Sequence, residues 1–429
     1  MPPSCSRYPL VRLIIPFVGG MVAANFLFPL GSLSPTVVAI LACVAGVVVF
    51  VTAVTPFGAY PRIYFGLSVV CFSFLFGMFL FLHRRGEADI PADRWLSKTK
   101  TETVVQRAMH DDYETAGIDG LSGAVIEAMT TGNKTRLPYE LRQSYSKAGV
   151  AHILALSGFH LTILLALFDI FLLRGFLPHR GRRLCGLLVI PLLWLYAWMT
   201  GMPVSLVRAA AMCSFLQLAL MLSVQYDILN SCAVAALLML LMNPLLILDI
   251  GFQLSFVSIL GIVTMGIPLY QYWSDHGLMP SRLWLQVPMK WVMGTLCISV
   301  ACTLFTFPLV SYHFGQIPLF SLISNIVVSL VAIVIMWGAC FWWMCFWSDL
   351  LQWLIAKLLM GCAGLMNQWT ASVAAWPFAV VEYRPTVVET VLLYTVLLSG
   401  VGYCHYRTAR MVMTCMGAWI AFILFHLLR

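Results

Sequence analysis

The stretch HILALSGFH, His152 to His160, sets two imidazoles, a hydroxyl and a glycine among Ile, Leu and Ala. Ser157 precedes His160 by three residues, a spacing at which side chains are neighbours on a helix. A serine beside a histidine is the beginning of a hydrolase site. Such a site also needs a group to orient the base and donors for an oxyanion, and the sequence here supplies neither specifically. On a helix turning about 100° per residue, His152 and His160 fall about 80° apart and share a broad face. Gly158 removes a side chain and lets another backbone approach. The chemistry expected of these groups is hydrogen bonding for packing or gating, or contact with a ligand, ahead of catalysis.

Three further clusters place polar groups in apolar surroundings, where ionisable side chains are costly and therefore functional candidates. In GMPVSLVRAAAM, Pro203 opens a helix and Arg208 lies about a turn further in. Arg208 either snorkels to an interface or offers a fixed cation to an anionic substrate on a water-filled path. In NPLLILDIGFQLSF, Asn243 and Pro244 bend one helix, Asp249 and Gly251 form the connection, and Gln253 and Ser255 start the next. Asp249 there reads as a helix cap. In SYHFGQIPLFSLISN, His313, Gly315, Gln316 and Pro318 make a short turn, and Asn325 enters the following helix. No phosphate loop and no His-Glu-x-x-His occurs. The 13 cysteines show no Cys-x-x-Cys and no zinc spacing. No metal, no cofactor and no enzymatic activity are expected. If a polymer is moved, another protein supplies the energy.

The elements that must hold these residues are set by composition. Of 429 residues, 61% are hydrophobic and 10% charged, against roughly 25% charged in soluble proteins. Mean hydropathy is +0.91. The fold class is all-α, a polytopic transmembrane bundle of about 11–13 helices, at about 20 residues per crossing. Spans are expected at 10–30, 35–57, 63–82, 150–173, 184–200, 203–222, 229–248, 252–272, 289–311, 319–346, 350–376, 387–404 and 409–428. The run 350–376 is the doubtful one, since it carries Lys357, Asn367 and Gln368. The chain divides into three amino-terminal helices (1–82), a polar external segment (83–148), a core (149–376) and two carboxyl-terminal helices (377–429). In the polar segment, helices are expected at 93–110 and 121–129, with an amphipathic one between Pro138 and Gly149. The net charge of +8 fits basic cytoplasmic loops. The loop RGFLPHRGRR is the strongest of these, so the amino terminus is expected inside and the carboxyl terminus outside.

The motifs carry a resemblance. KAGVAHILALSGFHLTILLAL resembles the characteristic segment of the ComEC family of bacterial competence proteins, with His152, Ser157, Gly158 and His160 at its positions. GMPVSLVRAAAM is similar to the family's small-Pro-Ser-x-x-Arg-Ala segment through Ser205 and Arg208. DIGFQLSFVSILG resembles its Asp-x-Gly-Phe-Gln-Leu-Ser-Phe segment through Asp249, Gly251, Gln253 and Ser255. FGQIPLFSLISNIV resembles its Phe-Gly-Gln…Asn segment through Gly315, Gln316 and Asn325. The resemblance implies an inner-membrane channel that passes single-stranded DNA during natural transformation, with these residues lining its path. It also implies partners: an ATP-driven translocase, an external DNA receptor, a nuclease and a second copy of the chain. The alternative is a path for another anionic solute, or a divergent member without DNA uptake. Family members usually carry an OB-fold and a metallo-β-lactamase-like domain. The stretch between Leu82 and Leu121 is too short for the first and reads as helical, and the sequence stops at Arg429, so a short form is expected.

Overall fold

The computed structural model of the chain describes residues 9–27, 35–54, 61–87, 103–168, 170, 179–222, 225–276, 283–406 and 408–427. Long apolar runs in lipid must satisfy their own backbone groups, and helices do so internally. The order is α1 (Pro9–Leu27), α2 (Pro35–Val54), α3 (Pro61–Glu87), α4 (Val104–Thr115), α5 (Gly120–Thr131), α6 (Tyr139–Lys147), α7 (Gly158–Phe168), α8 (His179–Met199) and α9 (Val204–Leu222). Then come α10 (Ile228–Met242), α11 (Ile250–Gly261), α12 (Ile267–Asp275), α13 (Leu283–Phe314), β1 (Gln316–Pro318), α14 (Ser321–Met344), α15 (Asp349–Ala374), β2 (Val380–Glu382), α16 (Val387–Tyr406) and α17 (Ala409–Leu427). The chain is an all-α polytopic bundle with one two-stranded ribbon, in which Gln316 pairs antiparallel with Glu382.

Among the described residues, ten helices are long and apolar enough to cross a membrane, and three apolar helices are shorter: Gly158–Phe168, Leu188–Met199 and Ile228–Met242. These three fall in runs expected as full spans. Residues 171–178, next to two of them, lie outside the described residues. The doubtful run is one unbroken helix, α15. A π-helical turn at Ile262–Gly266 joins α11 to α12, so the two make one span, Ile250–Asp275.

The chain forms two compact units, residues 1–101 with 223–256, and residues 102–222 with 257–429. In the first, α1 and α3 cross through glycines. A Cβ on Gly20 would lie 1.9 Å from the Phe74 carbonyl oxygen, and one on Gly77 would lie 2.1 Å from that of Phe17. Small residues at such a crossing let two backbones touch. Phe17, Met21 and Phe81 are buried beside it.

In the second unit, the expected helix 93–110 is in fact α4, which Thr103 caps with Gln106 in a reciprocal box and which runs on to Thr115. Residues 93–102 lie outside the described residues. In α5, every residue from Gly123 to Thr131 is buried. Its apolar face joins Tyr113, Tyr145, Ile335, Leu359 and Met366 in one core. α6 follows with Pro138 at its start, and Tyr145 reaches across to Asn367 of α15 at 2.7 Å.

Candidate functional site

The amino end of α7 gathers Ser157, Gly158, His160, Ser205 and Arg208 of the residues singled out above. The chain does not enter it as a continuous helix. Residues Ala151–Ile153 form one 3-10 turn, the next residues turn again, and α7 begins at Gly158. The expected span 150–173 therefore starts eight residues late, and the shared helical face of His152 and His160 does not exist. His152 is exposed on the 3-10 turn and His160 is fully buried in α7. The reason is local: Gly149 turns the chain with φ +76°, and serine before glycine favours a cap over a helix interior.

Ser157 and His160 close that cap. The Ser157 backbone N–H points at His160 Nδ1 at 3.3 Å, and Ser157 Oγ lies 3.0 Å from the same nitrogen. A nitrogen that accepts an N–H carries no proton, so the hydroxyl donates to it as well. His160 thus plays the part of the third-position Glu in a capping box. Its Nε2 is buried and has no hydrogen-bond partner among the described residues. Among the described residues no carboxylate orients this ring from behind, so the pair lacks the third member of a nucleophilic triad.

α9 supplies the cation. Gly201 and Met202 turn the chain with positive φ, and Pro203 precedes α9. Ser205 donates to the Leu156 carbonyl at 2.5 Å, fastening the first turn of α9 to the turn before α7. Arg208 is 6% exposed and does not snorkel to an interface. A Cβ on Gly158 would lie 3.5 Å from Arg208 Nη2 and 3.4 Å from the Ala209 Cβ. The guanidinium therefore lies against the first turn of α7 at Gly158. The trailing part of α7 is held by Trp337 of α14, which donates to the Ile163 carbonyl at 3.1 Å.

The remaining candidates are placed elsewhere. Asp249, Gln253 and Ser255 belong to the other unit. Asp249 caps α11 through the Phe252 N–H at 2.7 Å, and Gln253 reaches back to the Ile247 carbonyl at 2.8 Å. They stitch the joint between α10 and α11. Ser255 is half-buried further along α11. Gln316 opens β1, beside a cleft of about 240 Å³ also lined by Gly315, Glu382 and Arg384. Asn325 approaches Ser299 of α13 at 3.4 Å. In the second unit, then, the structure brings together Ser157, Gly158, His160, Ser205 and Arg208, with Gln316 and Asn325 on other elements.

Two buried carboxylates escaped the sequence reading. Glu127 of α5 is 3% exposed, with His110 at 3.1 Å and Asn133 donating to it at 2.7 Å. Glu389 is buried, accepts from the Thr386 N–H at 2.6 Å and meets His426 of α17 at 2.9 Å. The signal for Glu127 was present, an acid inside AVIEAM. Glu389 has no such signature, because Thr386 and Glu389 read as an ordinary cap. Among the described residues, no group of three His, Cys, Asp or Glu is placed to hold a metal.

A family model described as Competence protein matches residues 129–407. The chain is 29% identical over 206 residues to ComE operon protein 3 of Bacillus subtilis (strain 168). That match covers 48% of this chain and 24% of the relative, so the chain spans about a quarter of the length of the curated relative it matches. No solved structure matches the chain.

Proposed function

The chain belongs to the competence protein family, and on that premise we propose that it is a channel carrying one strand of DNA across the inner membrane during natural transformation. The observation that carries this reading is the convergence at α7. A helix amino terminus bears roughly half a positive charge, from N–H groups without intrahelical acceptors. A cation beside it adds to that positive potential, which favours an anion there. Arg208 lies against that end at Gly158. Backbone N–H groups and a guanidinium together suit a phosphodiester.

On this reading the chain is a conduit and not an enzyme, and Ser157 is a cap. It carries no nucleotide-binding loop, so an ATP-driven translocase pulls the strand, and an external receptor and a separate nuclease prepare it. A second copy completes a dimer. The amino terminus faces the cytoplasm.

Uptake of labelled DNA by cells lacking the gene tests the proposal. Expected is loss of transformation with DNA retained outside the inner membrane, restored by the intact chain and not by Arg208→Gln. Intact transformation in the deletion strain overturns it. The second reading, a path for another anionic solute, is favoured by the same cationic site, which recognises charge rather than polymer. Vesicles that pass small anions but bind no single strands would support it.

A further inference from the structure

We propose that the loop between α5 and α6, with the first turns of α6, is a docking surface for single-stranded nucleic acid. Lys134, Arg136 and Arg142 hold phosphates there, and Tyr139 stacks on a base. The proposal rests on the uptake reading above and adds to it a surface outside the α7 site.

The loop is rigid underneath and open on top. Gly132 ends α5 with φ +77°. Asn133 is buried, donates to Glu127 at 2.7 Å, and accepts from the Thr135 N–H at 3.1 Å and the Thr135 hydroxyl at 2.7 Å. Leu137 is buried and its N–H returns to the Lys134 carbonyl at 3.3 Å. Over this fixed backbone, Lys134, Arg136 and Arg142 are all exposed. Tyr139 is 77% exposed. A surface whose backbone is already ordered loses less freedom when a ligand binds.

The cations converge instead of spreading. Arg142 donates from its guanidinium to the Lys134 carbonyl, which brings the two basic residues together. Between 133 and 147 the only carboxylate is Glu140, against Lys134, Arg136, Arg142 and Lys147. Like charges gathered in this way are stabilised by a bound polyanion. An exposed aromatic among cations is the usual platform for single strands, whose bases all present a π face.

The position favours a strand over separate lipid headgroups. A Cβ on Gly132 would lie 2.6 Å from the Leu156 side chain, so the loop abuts the turn that leads into α7. The same turn ends at Gly158, where a Cβ would lie 3.5 Å from Arg208 Nη2. The open loop and the buried cation therefore flank one short stretch of chain, a layout that suits a linear polyanion.

The test uses the full chain in nanodiscs of phosphatidylcholine alone, with a labelled 20-nucleotide oligo-dT read by anisotropy across a salt series. K134Q/R136Q/R142Q should weaken binding at least tenfold at low salt. It should also lower the slope of log affinity against log salt by about 2, at about 0.7 per phosphate contact. Y139A should weaken binding about tenfold without changing the slope. K357Q, a control on α15, should leave both unchanged. The charge-keeping variant K134R/R136K/R142K should restore the slope, and its failure to do so would assign the loss to folding and overturn the surface. Unchanged affinity and slope in the triple Gln variant would overturn the surface while leaving the uptake reading intact. So would unchanged DNA binding with lost association to phosphatidylglycerol vesicles, which would make this a lipid-facing patch. If the unaltered chain binds no oligonucleotide at any salt, both readings fall.

Discussion

Ser157 and Arg208 meet at the same helix end, yet their substitutions should differ. Ser157→Ala removes the hydroxyl's hydrogen bond to His160 Nδ1 and keeps the backbone N–H that the ring accepts, which costs about 1 kcal/mol, and should leave transformation within about threefold of normal. Loss of transformation by this variant, with the protein still inserted, would restore the serine to a chemical role. Glu127 behaves in the opposite way. It is enclosed by His110 and Asn133, so Glu127→Ala leaves both partners buried without their acceptor. Leaving buried polar groups unpaired costs roughly 1–3 kcal/mol each. The expected readout is a large fall in detergent melting temperature, with Glu127→Gln falling less because its amide oxygen still accepts from Asn133. The types of the α7 residues were legible, since polar groups in an apolar run announce themselves. Their roles were not. Whether a serine beside a histidine is a cap or a nucleophile depends on the Ser157 backbone N–H that reaches His160 Nδ1, and no pattern of side chains records that contact.

At the scale of elements, two glycines nine residues apart carry different constraints. Gly149 has φ +76°, and a Cβ there would lie 2.4 Å from the Ser321 Cβ and 2.9 Å from its Cα, at the start of α14. Gly149→Ala should cost about 1–2 kcal/mol in left-handed strain and about 1–3 kcal/mol in overpacking. Gly158 sits in α7, where a Cβ meets only ordinary contacts. Gly158→Ala should leave the melting temperature unchanged or raise it, since alanine favours a helix over glycine by about 1 kcal/mol. Equal losses from the two would show that Gly158 also needs its missing Cβ. The long spans were legible because an apolar run of 20 residues has few alternatives. Their starts were not. α7 begins at a serine cap inside an apolar run, and α4 starts at Thr103 because of a reciprocal cap with Gln106. Hydropathy averages over both signals.

For the whole molecule, the all-α bundle was legible from composition, whereas the number of crossings turns on helices that composition cannot measure. The described part of α7 has 11 residues, about 16 Å at 1.5 Å per residue, short of the roughly 30 Å hydrocarbon core. Whether the chain changes sides there decides the side of everything after it. The basic loop 174–183 argues for the cytoplasm, and the amino terminus then lies inside, with the cationic loop at Lys134 outside. A cysteine-free chain carrying single cysteines, treated in intact cells with a membrane-impermeant maleimide, reads this directly. Thr135→Cys should label in intact cells, and Arg183→Cys and Thr408→Cys only after lysis. Labelling of the reverse set would invert the molecule and place the proposed docking surface on the wrong side for an incoming strand. Labelling of Thr135→Cys and Arg183→Cys together would mean that the α7 region enters and leaves by the same face. Arg208 would then line a re-entrant fold instead of a crossing helix.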